Sequence, residues 1–362
     1  MATTNHTGTQ TAAVVPNPGP NAQCEIRHDI PIPTPDPDQV LVKLTHSGIC
    51  HSDVHSIYNE TPMETDIAGH EGVGIVVKLG SSASQHVKVG DRVGIKWQWS
   101  VCGTCAACAV DETACPNQNN SGRNVRGCFA QYQAAPAKDV TLLPPLNEDG
   151  NAADGLSSEL LAPLLCAGLS MYSSISKANL SPGQWLVLPG AGGGLGHLGV
   201  QIAKAKGYKV IAIDSGKAKR KLCVDEFGAD AFLDFKTDDI EAEVLKLTDG
   251  VGAHAVVVGV GSTAAYELAF KLVRRLGTLV CVGIPRTNFH LPVSPFEMIV
   301  RSLRVVGSSC GTRESMSELL ELAKEGKVRA KVEVRELDAI NDVVKGLANF
   351  EIGGRVVLRI PE

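Results

Sequence analysis

Trp185-Leu186-Val187-Leu188-Pro189-Gly190-Ala191-Gly192-Gly193-Gly194-Leu195-Gly196 runs from a short apolar segment through a glycine loop into an amphipathic stretch that reaches Lys206. Four apolar residues followed at once by glycines read as a buried strand, a turn and the start of a helix. The same alternation continues downstream. A strand at 209–214, a charged helix at 217–227, apolar strands at 231–235, 255–260 and 278–282, and a closing strand at 304–307 follow in order. Strands alternating with helices predict an α/β fold with a doubly wound parallel sheet.

The loop also carries a chemical expectation. A G-x-G-x-x-G pattern between strand and helix offers backbone N–H groups at a helix start to a dinucleotide's phosphates. Gly190, Gly192, Gly193, Gly194, Leu195 and Gly196 are therefore candidate cofactor-binding residues. The loop is one residue longer than the short fingerprint, so the sequence alone does not assign which glycine makes the turn. Asp214 ends the next strand, where an acid takes the adenosine ribose hydroxyls and repels a phosphate, which favours NAD over NADP. The basic cluster Lys217, Lys219, Arg220 and Lys221 argues the other way. As a solvated helix face it leaves the choice unchanged, with Lys219 within reach of the ribose.

Outward from this core, 362 residues exceed what a single hydrophobic core supports, so two domains are expected. A net charge of −5 gives no electrostatic footprint for nucleic acid or anionic lipid, and no apolar run is long enough to span a membrane. The first dozen residues lack the basic-then-apolar order of an export signal and read as the disordered beginning of a tail covering 1–24. Eleven cysteines without such a signal point to a cytoplasmic protein that uses thiols for metal or redox chemistry.

Residues 40–143 read as short strands with frequent Gly and Pro turns, in the manner of a small β-barrel. Within it, Gly48-Ile49-Cys50-His51-Ser52-Asp53-Val54-His55 crowds a thiol, two imidazoles, a hydroxyl and a carboxylate onto what is expected to be a loop after a strand. Gly69-His70-Glu71-Gly72 heads another strand, and Cys166 opens a helix of small residues. Cys50, His70 and Cys166 together make a two-thiolate, one-imidazole set that leaves a fourth zinc position open. Cys102, Cys105, Cys108 and Cys115 form a separate cluster in a segment rich in Gly, Thr and Asn. Four thiolates at that spacing close a knuckle around one zinc ion, with no position left for a substrate.

Taken together, these stretches resemble the zinc-dependent alcohol dehydrogenases of the medium-chain dehydrogenase/reductase superfamily, of the yeast and fungal type. The resemblance covers nearly the whole chain after the tail. It implies a GroES-like catalytic domain over 1–167 and 311–362, with a Rossmann domain inserted at 168–310. It also implies two zinc ions and NAD. Cys50, His70 and Cys166 would hold the catalytic zinc, a ligand set already known from alcohol dehydrogenases. Glu71 would be a transient ligand, and Asp53 the carboxylate that orients His70. His51 and Arg355 would contact the cofactor pyrophosphate. Ser52 would accept the alcohol proton and pass it through the cofactor ribose to His55. The implied partner is a small alcohol or aldehyde, and the implied assembly a homotetramer.

One departure concerns the substrate. Yeast-type enzymes narrow their pocket with tryptophans; Trp97 is kept, but Ile57-Tyr58-Asn59-Glu60-Thr61-Pro62 has none. A pocket wider than ethanol requires is expected, open to longer, branched or aromatic primary alcohols and some secondary ones. Two other readings of the same fold are a reductase acting on another carbonyl and a non-catalytic NAD- and zinc-binding protein. A zinc-free reductase would not need Cys50, His70 and Cys166 together, and a non-catalytic protein predicts decay at the relay and ligand positions, which Ser52, His55 and Glu71 do not show.

Overall fold

The computed structural model describes residues 8–147, 149, 151, 152, 154–285 and 289–362. The chain divides into two compact units, 1–166 with 331–362, and 167–330. The second boundary differs from the expected one. Residues 311–330 belong to the second unit, where the helix Arg313–Lys324 buries Met316, Leu319, Leu320 and Ala323 and packs on the helix Ala167–Lys177. That stripe at i, i+3, i+4 and i+7 requires an apolar partner. It carries no information about which domain supplies one.

In the second unit six strands form one parallel sheet. They run, edge to edge, Ala231–Asp234, Lys209–Asp214, Trp185–Pro189, Ala253–Val258, Val273–Cys281 and Arg304–Gly307. In chain order this is third, second, first, fourth, fifth, sixth, so the direction of winding reverses beside Trp185–Pro189. Ligands of open α/β sheets bind at the carboxyl ends of strands at that reversal. Val187, Ile211, Val256 and Val258 are completely or almost completely buried between the helices, as expected of a sheet covered on both faces. The helix expected at 217–227 is α-helical at Lys217–Lys221 and continues as a π turn over Leu222–Glu226.

The first unit is built on a sheet whose path is Val332–Glu336, Arg355–Arg359, Gln39–Ile49, Glu71–Leu79, Arg92–Ile95 and Thr141–Leu142, with Tyr132–Pro136 also pairing with Gln39–Ile49. Its register sets up the site. Gly48 lies opposite Glu71, and Val356 opposite Ile49, so Glu71 and Arg355 flank the end of the strand that delivers Cys50. The tail departs from expectation. Thr9–Val14 is a strand paired antiparallel with Glu25–Pro31, and Ala12 and Ala13 are fully buried. Short apolar Ala-Ala-Val-Val between Thr11 and Pro16 is enough once a partner strand exists. Residues 1–7 lie outside the described residues.

Candidate active site and metal centres

The residues after Ile49 form a helix, His51–Ile57, and not the expected loop. Seven residues are too few for intrinsic propensity to hold a helix. Capping supplies the difference. Cys50 Sγ accepts from the Ser52 N–H at 3.3 Å, and Asp53 Oδ2 accepts from the Cys50 N–H at 2.9 Å, closing a capping box. Helical spacing then puts His51 and His55 on one face, with ring centroids 6.3 Å apart. Val54 and Ile57 face the core.

Asp53 has a second task. Its Oδ1 accepts from His70 Nδ1 at 2.9 Å and from the Gly69 N–H at 3.1 Å. This turns His70 Nε2 toward Cys50 Sγ and Cys166 Sγ, 3.3 Å from each. Cys166 arrives from the turn Ala162–Leu165, which is seated on the sheet because Gly94 leaves room for Leu165; a Cβ there would lie 2.5 Å from Leu165 Cδ2. Gly48 does the same for Glu71, since its Cβ would lie 2.0 Å from Glu71 Oε2.

Cys50, His70, Glu71 and Cys166 are all buried, and one ligand atom from each lies within 4.8 Å of the others. Arg355 Nη2 donates to Glu71 Oε1, while Glu71 Oε2 is buried with no hydrogen-bond partner among the described residues. Burial pushes the Glu71 carboxyl up to about 7 against the opposing pull of Arg355. The Cys166 thiol, with His70 and Arg355, holds Cys50 well below the usual thiol range despite burial. The site therefore favours the thiolate, the form that binds metal.

The spacing fits zinc. Tetrahedral coordination at ordinary Zn–S and Zn–N lengths puts sulfur and nitrogen about 3.5 Å apart and two sulfurs about 3.8 Å apart. The first separation matches the 3.3 Å contacts of His70. The second matches the other cluster, where Cys102 Sγ lies 3.8 Å from Cys108 Sγ and 3.5 Å from Cys115 Sγ. Those distances are far beyond a disulfide bond. Cys102, Cys105, Cys108 and Cys115 likewise fall within 4.8 Å of one another, and none of the eleven cysteines is in a disulfide.

The other anticipated residues lie as follows. His51 stacks on Phe350 at 5.0 Å, and Trp97 meets His70 edge-on at 5.1 Å. His55 Nδ1 pairs with Glu60, a contact that nothing in the local sequence pattern announced. In the second unit Gly190 makes the turn of the glycine loop, at φ +72°, and Gly196 permits close helix packing, because a Cβ there would lie 2.1 Å from the Gly190 carbonyl oxygen. Asp214 Oδ2 accepts from the Gly192 N–H at 2.9 Å. Its Oδ1 accepts from the Ser215 N–H at 2.8 Å and from Lys219 Nζ at 2.7 Å. A carboxylate has about four acceptor positions, so room for one more donor remains. No described helix is long and apolar enough to cross a membrane.

Comparison with known proteins gives both units a family. Residues 36–145 match the alcohol dehydrogenase GroES-like domain and residues 194–325 the zinc-binding dehydrogenase family. An alcohol dehydrogenase of Geobacillus stearothermophilus is 40% identical over 326 residues, covering 89% of this chain and 92% of that protein. Alcohol dehydrogenase 2 of Emericella nidulans is 40% identical over 96% of this chain and 97% of its own length. The crystal structure of the alcohol dehydrogenase from the archaeon Aeropyrum pernix superposes with a TM-score of 0.84 at 31% identity, covering 97% of this chain and all of that one. Likeness of this extent, over a chain whose cysteines gather at zinc-ligand distances, shows that the protein belongs to the zinc-dependent alcohol dehydrogenases, enzymes that exchange hydride between an alcohol and NAD.

Proposed function

We propose that the reaction is centred on Cys50, His70 and Cys166, which hold the catalytic zinc, while Cys102, Cys105, Cys108 and Cys115 hold a second, bracing zinc. The observation that carries this is the convergence of His70 Nε2 on two buried sulfurs, with its other nitrogen fixed by Asp53. A zinc ion in such a site supplies Lewis acidity, which eases loss of the hydroxyl proton from a bound alcohol near neutral pH. Everything else falls to the chain. Glu71, tied through Oε1 to Arg355, offers Oε2 as an alternative, transient ligand. Ser52 and His55, three residues apart on one helix, move the alcohol proton outward. In the first unit His51 and Arg355 are the cofactor contacts, and in the second the glycine loop from Gly190 to Gly196 is the phosphate-binding element.

The cofactor choice is NAD over NADP. Asp214 keeps its carboxylate at the end of the second strand, and its ion pair with Lys219 already engages the nearest cation that would welcome a phosphate. The substrate pocket is wider than ethanol needs. Ile57 points into the core, so among residues 57–61 only those beyond the helix end can meet a substrate, and none is a tryptophan. Assembly is homo-oligomeric, a tetramer by family likeness. Phe296, Ile299, Val300, Ile284 and Leu276 are exposed near the edge strand Arg304–Gly307, which among the described residues has a partner on one side only. A second copy would cover that apolar face. Eleven cysteines with no disulfide among them suit the reducing cytoplasm.

The purified zinc-loaded enzyme should reduce NAD with alcohols, with kcat/KM for hexanol and benzyl alcohol at least equal to that for ethanol and tenfold or more lower with NADP. A steep preference for ethanol overturns the wide pocket. Equal use of NADP overturns the role given to Asp214.

A further inference from the structure

The proton path described above ends at His55, and the residue after it in space is one that sequence patterning passes over. The helix His51–Ile57 stops at Tyr58, whose N–H reaches the Val54 carbonyl at 2.8 Å. Asn59 then takes the left-handed conformation, φ 57°, and the chain doubles back. The Thr61 N–H donates to the His55 carbonyl at 3.0 Å, and Asn59 Oδ1 accepts from the Met63 N–H at 3.1 Å. Between these two ties sits Glu60, so its carboxylate is held over the last helical turn, where Oε2 pairs with His55 Nδ1. The His55 side chain is 14% exposed and that of Glu60 37%. The ring is thus shielded while the carboxylate faces water.

We propose that Glu60 is a positioning residue for the proton path, a carboxylate that fixes the tautomer and orientation of the His55 ring. This rests on the reading of His55 as the outlet of that path. An ionised carboxylate only accepts, so a neutral His55 beside it must carry its proton on Nδ1 and keep the lone pair on Nε2. Nε2 is then the nitrogen free to take a proton from the interior. When it does, neutral imidazole plus one proton gives imidazolium beside carboxylate, and the helix C-terminus adds a second favourable dipole for that cation. Loss of one proton from the ring to water restores the neutral form. Glu60 remains ionised throughout, in the way the buried acid of a Ser-His-Asp triad does. A plain surface ion pair would instead contribute little and leave the tautomer to the ring's own preference.

The test uses the zinc-loaded enzyme labelled with 15N-histidine, with the His55 signal identified by its absence in H55Q. Spectra are recorded at about pH 9, above the ordinary imidazole range. The wild-type ring should show Nδ1 protonated and Nε2 bare, and E60A should shift it toward the Nε2–H form. In turnover, E60Q should lower kcat/KM for alcohol oxidation about tenfold, E60D should recover part of that, and the E60Q/H55Q pair should be no slower than H55Q alone. An unchanged tautomer in E60A, or losses that multiply in the double variant, would overturn the assignment of Glu60. Wild-type kcat/KM in H55Q would instead overturn the outlet reading on which the assignment rests.

Discussion

Asp53 shows how much one side chain can hold. A single carboxylate caps the helix His51–Ile57 through the Cys50 N–H, receives the Gly69 N–H, and fixes His70 through Nδ1. Asp53→Asn keeps the shape but offers an amide where His70 needs an acceptor. It should weaken zinc retention at this site about 10- to 100-fold in chelator competition, with a parallel loss of activity. Unchanged retention would mean that His70 is held by its surroundings alone. The candidate ligands Cys50, His70 and Cys166 can be picked out in the sequence by residue type and their glycine neighbours. Their distances cannot, since they sit on three elements whose meeting depends on strand register and on two close approaches, at Gly48 and Gly94. Glu60 illustrates the opposite case, a residue with no patterned signal whose placement depends on the left-handed turn at Asn59.

The glycine loop is the element on which the second unit turns. Gly196→Ala would drive a methyl group to 2.1 Å from the Gly190 carbonyl oxygen, a backbone atom that cannot swing aside. A loss of about 1–3 kcal/mol in stability is expected, read as a lower Tm, together with weakened NAD binding by titration calorimetry. Asp214→Ser should lower NAD affinity about tenfold and narrow the gap to NADP, because it removes the acceptor that the loop and Lys219 share. The parallel sheet was readable from the alternation of apolar runs and amphipathic stretches, since strands covered on both faces are continuously apolar. Two elements, and the surface met by a third, were not. The helix His51–Ile57 is too short to show a period and depends on its cap. The strand Thr9–Val14 depends on a partner more than ten residues downstream. The helix Arg313–Lys324 announces its amphipathic face, but the surface it meets is a property of the fold.

At the scale of the whole molecule, stability should depend on metal and on pH. Stripping both zinc ions with a chelator should lower Tm, with the larger part of the drop following loss of metal from the knuckle at Cys102–Cys115, whose folding has little else to support it. C105A should reproduce that part while keeping zinc at Cys50, His70 and Cys166. The pH effect comes from a half-buried histidine that the folded chain holds in its neutral form. Burial, assisted by Arg274, holds His254 below the ordinary imidazole range, and its Nδ1 accepts from the Trp185 N–H at 3.2 Å, which requires an unprotonated nitrogen. Below about pH 6.5 the unfolded chain binds the proton more readily than the folded one. Its contribution to stability is therefore complete above that pH and is lost as pH falls through the lower, folded value. Tm should decline from pH 7 to pH 5, and less steeply in H254N. The claim on which everything else stands is that two separate clusters of this one chain each hold a zinc ion and that the buried one performs the chemistry. Zinc per chain, measured by mass spectrometry on the wild type and on C166A alongside alcohol-dependent NADH formation, tests it directly. Two ions in the active wild type and one in a folded, inactive C166A are predicted; a fully active wild type with a single ion, or C166A that keeps both ions and its activity, would contradict it.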